Sequence, residues 1–321
     1  MLQSISLAEF LFTIQAEETL ILPPYKGSTF RGGFGHAFKR IVCVVRNKGC
    51  ADCILKEKCV YSFIFETPPP SNTTRMRKYI SVPHPFIITP PMAKKREYKE
   101  GEELTFKLTL IGKAIDYLPY FIYTFEELSR IGIGKGKKRF RLLHVRNRYS
   151  DGKEATIYDS TDKILKNSYQ PITMQGLLQN SFPDKLLHIR FHTPTRIVYN
   201  QKLTMDLEFH VLIRSLIRRI SNLSYFHCNG DPSGFDFKGI IKSAEEIKTK
   251  TRDLFWYDWE RFSGRQDTKM KLGGFMGDIV FEGDMEEFKP YILLGSFIHA
   301  GKGTTFGLGE YEIASQCKIA L

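Results

Sequence analysis

The chain has 321 residues, 42% of them hydrophobic, and a formal net charge of +12. That length sets an expectation of about two domains with real cores, and the charge calls for a polyanionic partner, either nucleic acid or an anionic membrane. No basic stretch precedes the N-terminal apolar run, which Glu9 interrupts, so a signal peptide is not expected. The most apolar helix candidate, around 207–220, is broken by Arg214, Arg218 and Arg219. No bilayer helix is expected, which favours nucleic acid and a cytoplasmic protein.

Leu7 to Gln15 reads as a buried strand. Pro23 to Gly27 reads as a turn, with Ser28 as cap of a helix from about Thr29 to Val45. On a helical wheel Phe30, Phe34, Phe38, Ile41, Val42 and Val45 share one face. His36 falls on the opposite face, with Arg40 one turn on and Lys39 alongside. Two nearby cations lower a histidine pKa and leave neutral imidazole available as a base. An ordinary solvated histidine has the same pattern. Gly32, Gly33 and Gly35 are costly in a helix and read as a thinning that lets a ligand approach.

Cys43, Cys50, Cys53 and Cys59 form C-x6-C-x2-C-x5-C. In a cytoplasmic protein such a cluster points to a metal rather than disulfides. The x2 pair is zinc-knuckle spacing, so structural zinc is expected, with an iron–sulfur cluster as the alternative. Four sulfur ligands leave no open position for metal catalysis. Cys228 and Cys317 stand alone and read as ordinary thiols.

Tyr61 to Phe65 reads as a strand, 67–92 as a long proline-rich connection, Leu104 to Ile111 as an alternating strand and Ala114 to Arg130 as a helix interrupted by Pro119. A glycine loop, Gly132 to Gly136, leads into a strand from Phe140 to Val145. The order is the β-α-β-β-α-β of a ferredoxin-like domain with a cysteine insert. Lys135 to Arg148 holds seven basic residues and no acidic one. Lys135, Lys137, Lys138, Arg139 and Arg141, with Phe140 among them, suit phosphate contact and base stacking.

Residues 151–184 read as a hairpin (Glu154 to Ile164) and a linker. Beyond it come a strand from Leu186 to Phe191, a helix from about Met205 to Leu223 and a short helix near Lys242 to Lys250. His188, His192 and His210 show no partner pattern and read as structural. A hairpin of Leu254–Phe262 and Lys269–Phe281 carries Arg261, Arg265, Lys269 and Lys271 beside Trp256, Tyr257 and Trp259, again a combination suited to RNA. A helix from Met285 to Leu294 leads to a second glycine loop, with Gly301, Lys302, Gly303, Gly307 and Gly309. Free amides and a lysine there suit a phosphate chain, though a bare helix-to-strand turn has the same glycines. Gly134-Lys135-Gly136 mirrors Gly301-Lys302-Gly303, an internal repeat of two related domains, 1–150 (insert 43–59) and 185–321. The fold class expected is α+β, tandem ferredoxin-like.

The stretch GKGTTFGLG from Gly301 to Gly309 resembles the C-terminal glycine-rich loop of the RAMP superfamily of CRISPR-associated proteins, and more closely that of the endoribonucleases that process precursor CRISPR RNA. Arg190–Arg196, Trp259–Gln266, Lys271–Gly277 and Gly27–His36 resemble the same family, most specifically after about residue 185. The resemblance implies metal-independent attack of an RNA 2′-hydroxyl on the adjacent phosphate, leaving a 2′,3′-cyclic phosphate and a 5′-hydroxyl. It favours His36 as base, because family members commonly supply a histidine from the first domain. Lys39 or Arg40 would stabilise charge, Tyr25 would donate a proton or position the ribose, and His299 is the rival histidine. The expected partners are CRISPR repeat RNA and subunits of a CRISPR effector complex, with the chain a monomer or homodimer and no membrane partner. Competing readings are a RAMP subunit that holds guide RNA without cutting it, and a zinc-dependent RNA chaperone. The better-known family members lack the cysteine insert.

Overall fold

The computed structural model describes residues 1–46, 48–166, 168–263 and 268–314. They divide into two units, one of Ser4–Ile172 with Asn222–Gly230, the other of Met1–Gln3, Thr173–Ser221 and Asp231–Leu321.

In the first unit the apolar run near the N-terminus forms β1 (Ser6–Ala16), buried on both faces. After it come α1 (Gly27–Val42), β2 (Phe86–Thr89), β3 (Glu103–Ile111), α2 (Leu118–Ile131), β4 (Phe140–Arg148) and β5 (Glu154–Asp159). The sheet runs β2-β3-β1-β4-β5, antiparallel throughout, with Phe12 opposite Phe106 on one side and Val145 on the other. A 2-3-1-4 order on a β-α-β-β-α-β chain is the ferredoxin-like arrangement. Both helices pack on the Phe12–Phe106 face: Phe125 lies 5.2 Å from Phe12, and Phe30 lies 4.8 Å from Phe106. Phe34 is the hub, with Phe121 at 4.7 Å, Phe38 at 5.1 Å, Phe125 at 5.6 Å and Phe86 at 5.7 Å.

The second unit repeats the plan with β6 (Leu186–Thr195), α3 (Phe209–His227), α4 (Phe237–Ala244), β7 (Lys248–Tyr257), β8 (Glu260–Ser263), β9 (Thr268–Lys271), β10 (Gly274–Glu282), α5 (Lys289–Ile298) and β11 (Tyr311–Ile313). Its sheet order is β7-β10-β6-β11, the same 2-3-1-4 pattern. The last residues of α3 belong to the first unit.

The structure corrects several sequence readings. Tyr61 to Phe65 is not a strand: Ser62–Glu66 is a wide helical turn, and the second sheet strand is β2. Its aromatic residues have strand propensity, but a helical turn brings Tyr61 to 5.8 Å from Phe38 and Phe65 to 6.4 Å from Phe34. Burial against α1 overrides the propensity. Helix α1 starts at Gly27 without a side-chain cap and ends at Val42. The helix read as starting at Ala114 is a 3-10 turn (Gly112–Tyr117) followed by α2, whose first turn holds Pro119. The hairpin read at 154–164 is instead β4 with β5. The short helix lies earlier, at Phe237–Ala244, because Lys248 already begins β7.

The α1 glycines divide into two kinds. Gly33 lies against Leu128 of α2, and a Cβ on Gly35 would fall inside the Phe65 ring. These two allow close packing within the unit rather than ligand approach. A Cβ on Gly32 meets nothing within 4 Å. Gly35→Ala is therefore expected to destabilise by about 1–3 kcal/mol through overpacking. Gly32→Ala should stabilise by up to ~1 kcal/mol through helix propensity. Urea unfolding of the two variants checks the opposite signs.

Candidate nucleic-acid interface and catalytic helix

Because Phe34 and Phe38 turn inward, the far face of α1 carries His36, Lys39 and Arg40, all exposed. At about 100° per residue these three and Gly32 fall within one arc. Helical side chains lean toward the N-terminus, so His36 points over the turn containing Gly32. The result is an imidazole beside bare backbone, with two cations one turn on. The Lys39 ammonium sits 5.5 Å from the Tyr61 ring centre. Tyr25, in the turn before α1, is 5% exposed. Lys26 is wholly buried, its Nζ donating to the carbonyl of Ala93 at 2.7 Å. Burial pushes the Lys26 pKa down.

The two glycine loops share one lock. In the first unit Lys135 N–H donates to Ile21 O at 3.0 Å; in the second Lys302 N–H donates to Arg196 O at 2.9 Å. Each acceptor lies shortly after the first strand of its sheet. The preceding glycines, Gly134 (φ +72) and Gly301 (φ +80), leave room for that carbonyl: an added Cβ would sit 2.5 Å from it in both cases. The repeat seen in the sequence is thus a repeat of hydrogen bonds. Part of the loop amides is already taken. In the second loop the amides of Ala300, Lys302, Phe306, Gly307 and Gly309 already donate to backbone carbonyls. The side chains of Lys135, Lys137 and Lys302 are exposed.

The rest of the basic run is partly neutralised. Glu18 pairs with Lys138 at 2.9 Å and Arg139 at 3.3 Å, and Lys138 foremost holds the Glu18 carboxyl below the usual range. Arg141 donates to Gln15 at 2.8 Å. Phe140, read as a stacking ring, is 1% exposed and belongs to the core. The backbone of Arg261, Lys269 and Lys271 lies on the β8–β9 ribbon, and Arg265 lies outside the described residues. Nearby Phe255 and Trp256 of β7 are exposed.

His299 follows α5 with a left-handed φ of +63. It is 1% exposed, and its Nδ1 lies 3.1 Å from the carbonyl of Leu308, which binds it into the loop. Sequence reasoning took Arg219 for a polar interruption, yet it is half-buried, with its Nη2 out of solvent. Its Nε–H donates to Ile298 O at 2.7 Å, at the C-terminal end of α5 where a cation is favoured. Burial pushes its pKa down to about 9. Only its three-to-four-residue spacing from the apolar members of α3 signals this. The four cysteines are half-buried free thiols. Among the described residues no three His, Cys, Asp or Glu side chains stand together as an ion site. No helix among them is long and apolar enough to cross a membrane.

Residues 5–170 match a family model described as an N-terminal domain, and residues 189–311 match the model of the CRISPR-associated endoribonuclease Cas6. An uncharacterized protein of Archaeoglobus fulgidus is 27% identical over 304 residues, covering 92% of this chain and 93% of that protein. A solved Cas6 product complex is similar over 95% of this chain and 98% of that chain, with a TM-score of 0.58 and 15% identity. Cas6 of Thermus thermophilus is similar over 96% and 98%, with a TM-score of 0.53 and 14% identity. A partial Cas6-RT-Cas1–Cas2 complex is similar over 98% of this chain and 47% of that chain, with a TM-score of 0.59 and 14% identity. At these identities the structures show a shared fold.

The loop locks carry a stability prediction. Gly134→Ala and Gly301→Ala should each cost about 1–3 kcal/mol, from a left-handed backbone and a crowded carbonyl. Lys135→Ala and Lys302→Ala should change stability by less than about 0.5 kcal/mol, as exposed sites do. Urea denaturation of the four variants checks both.

Proposed function

We propose that this chain, which belongs to the Cas6-like CRISPR-associated proteins, cuts precursor CRISPR repeat RNA into guide RNAs without a catalytic metal. The observation that carries this reading is the exposed face of α1, where His36, Lys39 and Arg40 stand beside open Gly32. A net charge of +12 and exposed lysines on both glycine loops support an RNA substrate.

His36 takes the proton of a ribose 2′-hydroxyl. The freed oxygen attacks the adjacent phosphorus, and the bond to the 5′-oxygen breaks. The departing oxygen takes a proton from water, leaving a 2′,3′-cyclic phosphate and a 5′-hydroxyl. Lys39 and Arg40 offset the charge that builds on the phosphorane oxygens. Gly32 leaves room for the ribose-phosphate chain next to the imidazole. Tyr25 is buried, and no proton is routed through it. His299 is buried and engaged with its loop, which favours His36 as the base.

Positioned acid–base help contributes about 10²–10⁴-fold. His36→Ala should lose cleavage of labelled repeat RNA in EDTA by about that factor, with binding kept. Loss confined to a folded His299→Ala variant would move the site to the C-terminal loop. Binding without cleavage by the wild type, across the repeat RNAs of its host, would replace the nuclease with a subunit that holds guide RNA. Lys135→Ala and Lys302→Ala should each reduce the salt dependence of binding by about one phosphate contact.

A further inference from the structure

The segment from Cys43 to Cys59 has no core of its own. Its one regular element is a 3-10 turn at Cys50–Asp52. Val44 and Ile54 are 77% and 88% exposed. A short segment with its apolar residues in water needs a staple to hold one conformation. The four thiols occupy its corners. Cys43 is the C-cap residue of α1, its N–H donating to Lys39 O at 3.0 Å. Cys50 and Cys53 bracket the 3-10 turn, with Cys53 N–H directed at Cys50 O at 3.5 Å. Cys59 opens the helical turn that follows, accepting Phe63 N–H at 2.9 Å. Cys50 and Cys59 pack against the edge of the first unit's core. Lys39, Arg40, Arg46, Lys48, Lys56 and Lys58 outnumber Asp52 and Glu57 along this stretch. The excess of cations suits the double negative charge that four thiolates and one divalent ion carry together.

We propose that Cys43, Cys50, Cys53 and Cys59 bind one zinc ion as a tetrathiolate, and that binding draws the segment closed onto the end of α1. The thiols do not yet share a ligand sphere in the geometry described above; the ion gathers them. Four sulfur–zinc bonds form, and the thiol protons pass to solvent. The site is structural, since four thiolates leave no open position. It fixes the last turn of α1, and with it the Lys39 and Arg40 side chains on the face that carries His36. The metal readout is independent of RNA cleavage, so failure of one does not imply failure of the other.

The experiment is elemental analysis and X-ray absorption on the full chain purified without added metal. The expected result is one zinc per chain with four sulfur neighbours at about 2.3 Å. The zinc should stay bound during the EDTA cleavage assay and be released by a thiol-specific mercurial. Cys50→Ser with Cys53→Ser should lose the ion. Because loss of two thiols also removes the staple of the insert, the decisive measurement is on the wild type. Iron with acid-labile sulfide in place of zinc would overturn the zinc assignment. A folded wild type without metal, whose four thiols all react at free-thiol rates even after zinc is supplied, would overturn the site itself.

Discussion

Phe34 sets the direction in which α1 faces. Its ring lies among Phe38, Phe86, Phe121 and Phe125, drawn from two helices and the sheet. Rotating α1 by one residue would take Phe34 out of that cluster and expose aromatic surface, at a cost of several kcal/mol for each large ring moved into water. The orientation of His36 is therefore a by-product of packing on the opposite side of the helix. Gly33 and Gly35 serve the same end, by letting Leu128 and Phe65 come close to the α1 backbone. Gly32 alone among these three faces open space, which is why it falls to the site rather than to the core.

The chain uses one architectural solution twice. Each unit has a 2-3-1-4 antiparallel sheet, and each closes its second helix with a glycine loop whose lysine amide is tied to the chain beyond the first strand. In the first unit Lys138 and Arg139 of the basic run are paired with Glu18. In the second, the half-buried Arg219 donates to the last carbonyl of the helix that precedes the loop. The chemistry around the two locks has diverged while the backbone solution has not.

Much of this was legible in the sequence. Strand β1 follows from its apolar run and β3 from alternation, and the outward placement of His36 follows from the spacing of three phenylalanines. The repeated Gly-Lys-Gly announced the paired loops. What was not legible depended on distant partners. Tyr61 to Phe65 has strand-forming residues, and distant aromatic partners, Phe34 and Phe38 of α1 with Phe86 of β2, turn it into a helical turn. Phe140 sits among cations in sequence, yet strand alternation sends it inward while Arg139 and Arg141 point out. Arg219 and Lys26 are charged residues that donate to carbonyls from distant segments, and local composition carries no trace of those acceptors. The glycine loop was legible as a loop, but the tethers of its Lys302 and Gly309 amides were not, because their acceptors, the carbonyls of Arg196 and Pro194, lie far away in the chain.

Those occupied amides give the loops an uncommon mechanical character. A glycine-rich turn is ordinarily the softest part of a domain, quick to exchange its amide hydrogens and slow to settle around a ligand. Here the amides of Lys135 and Lys302 are held as in a sheet while their side chains hang in solvent. Each loop is a stiff mount with a mobile tip. A polyanion arriving there does not have to order the backbone, and the entropy of association falls only on a pair of long, rotatable side chains.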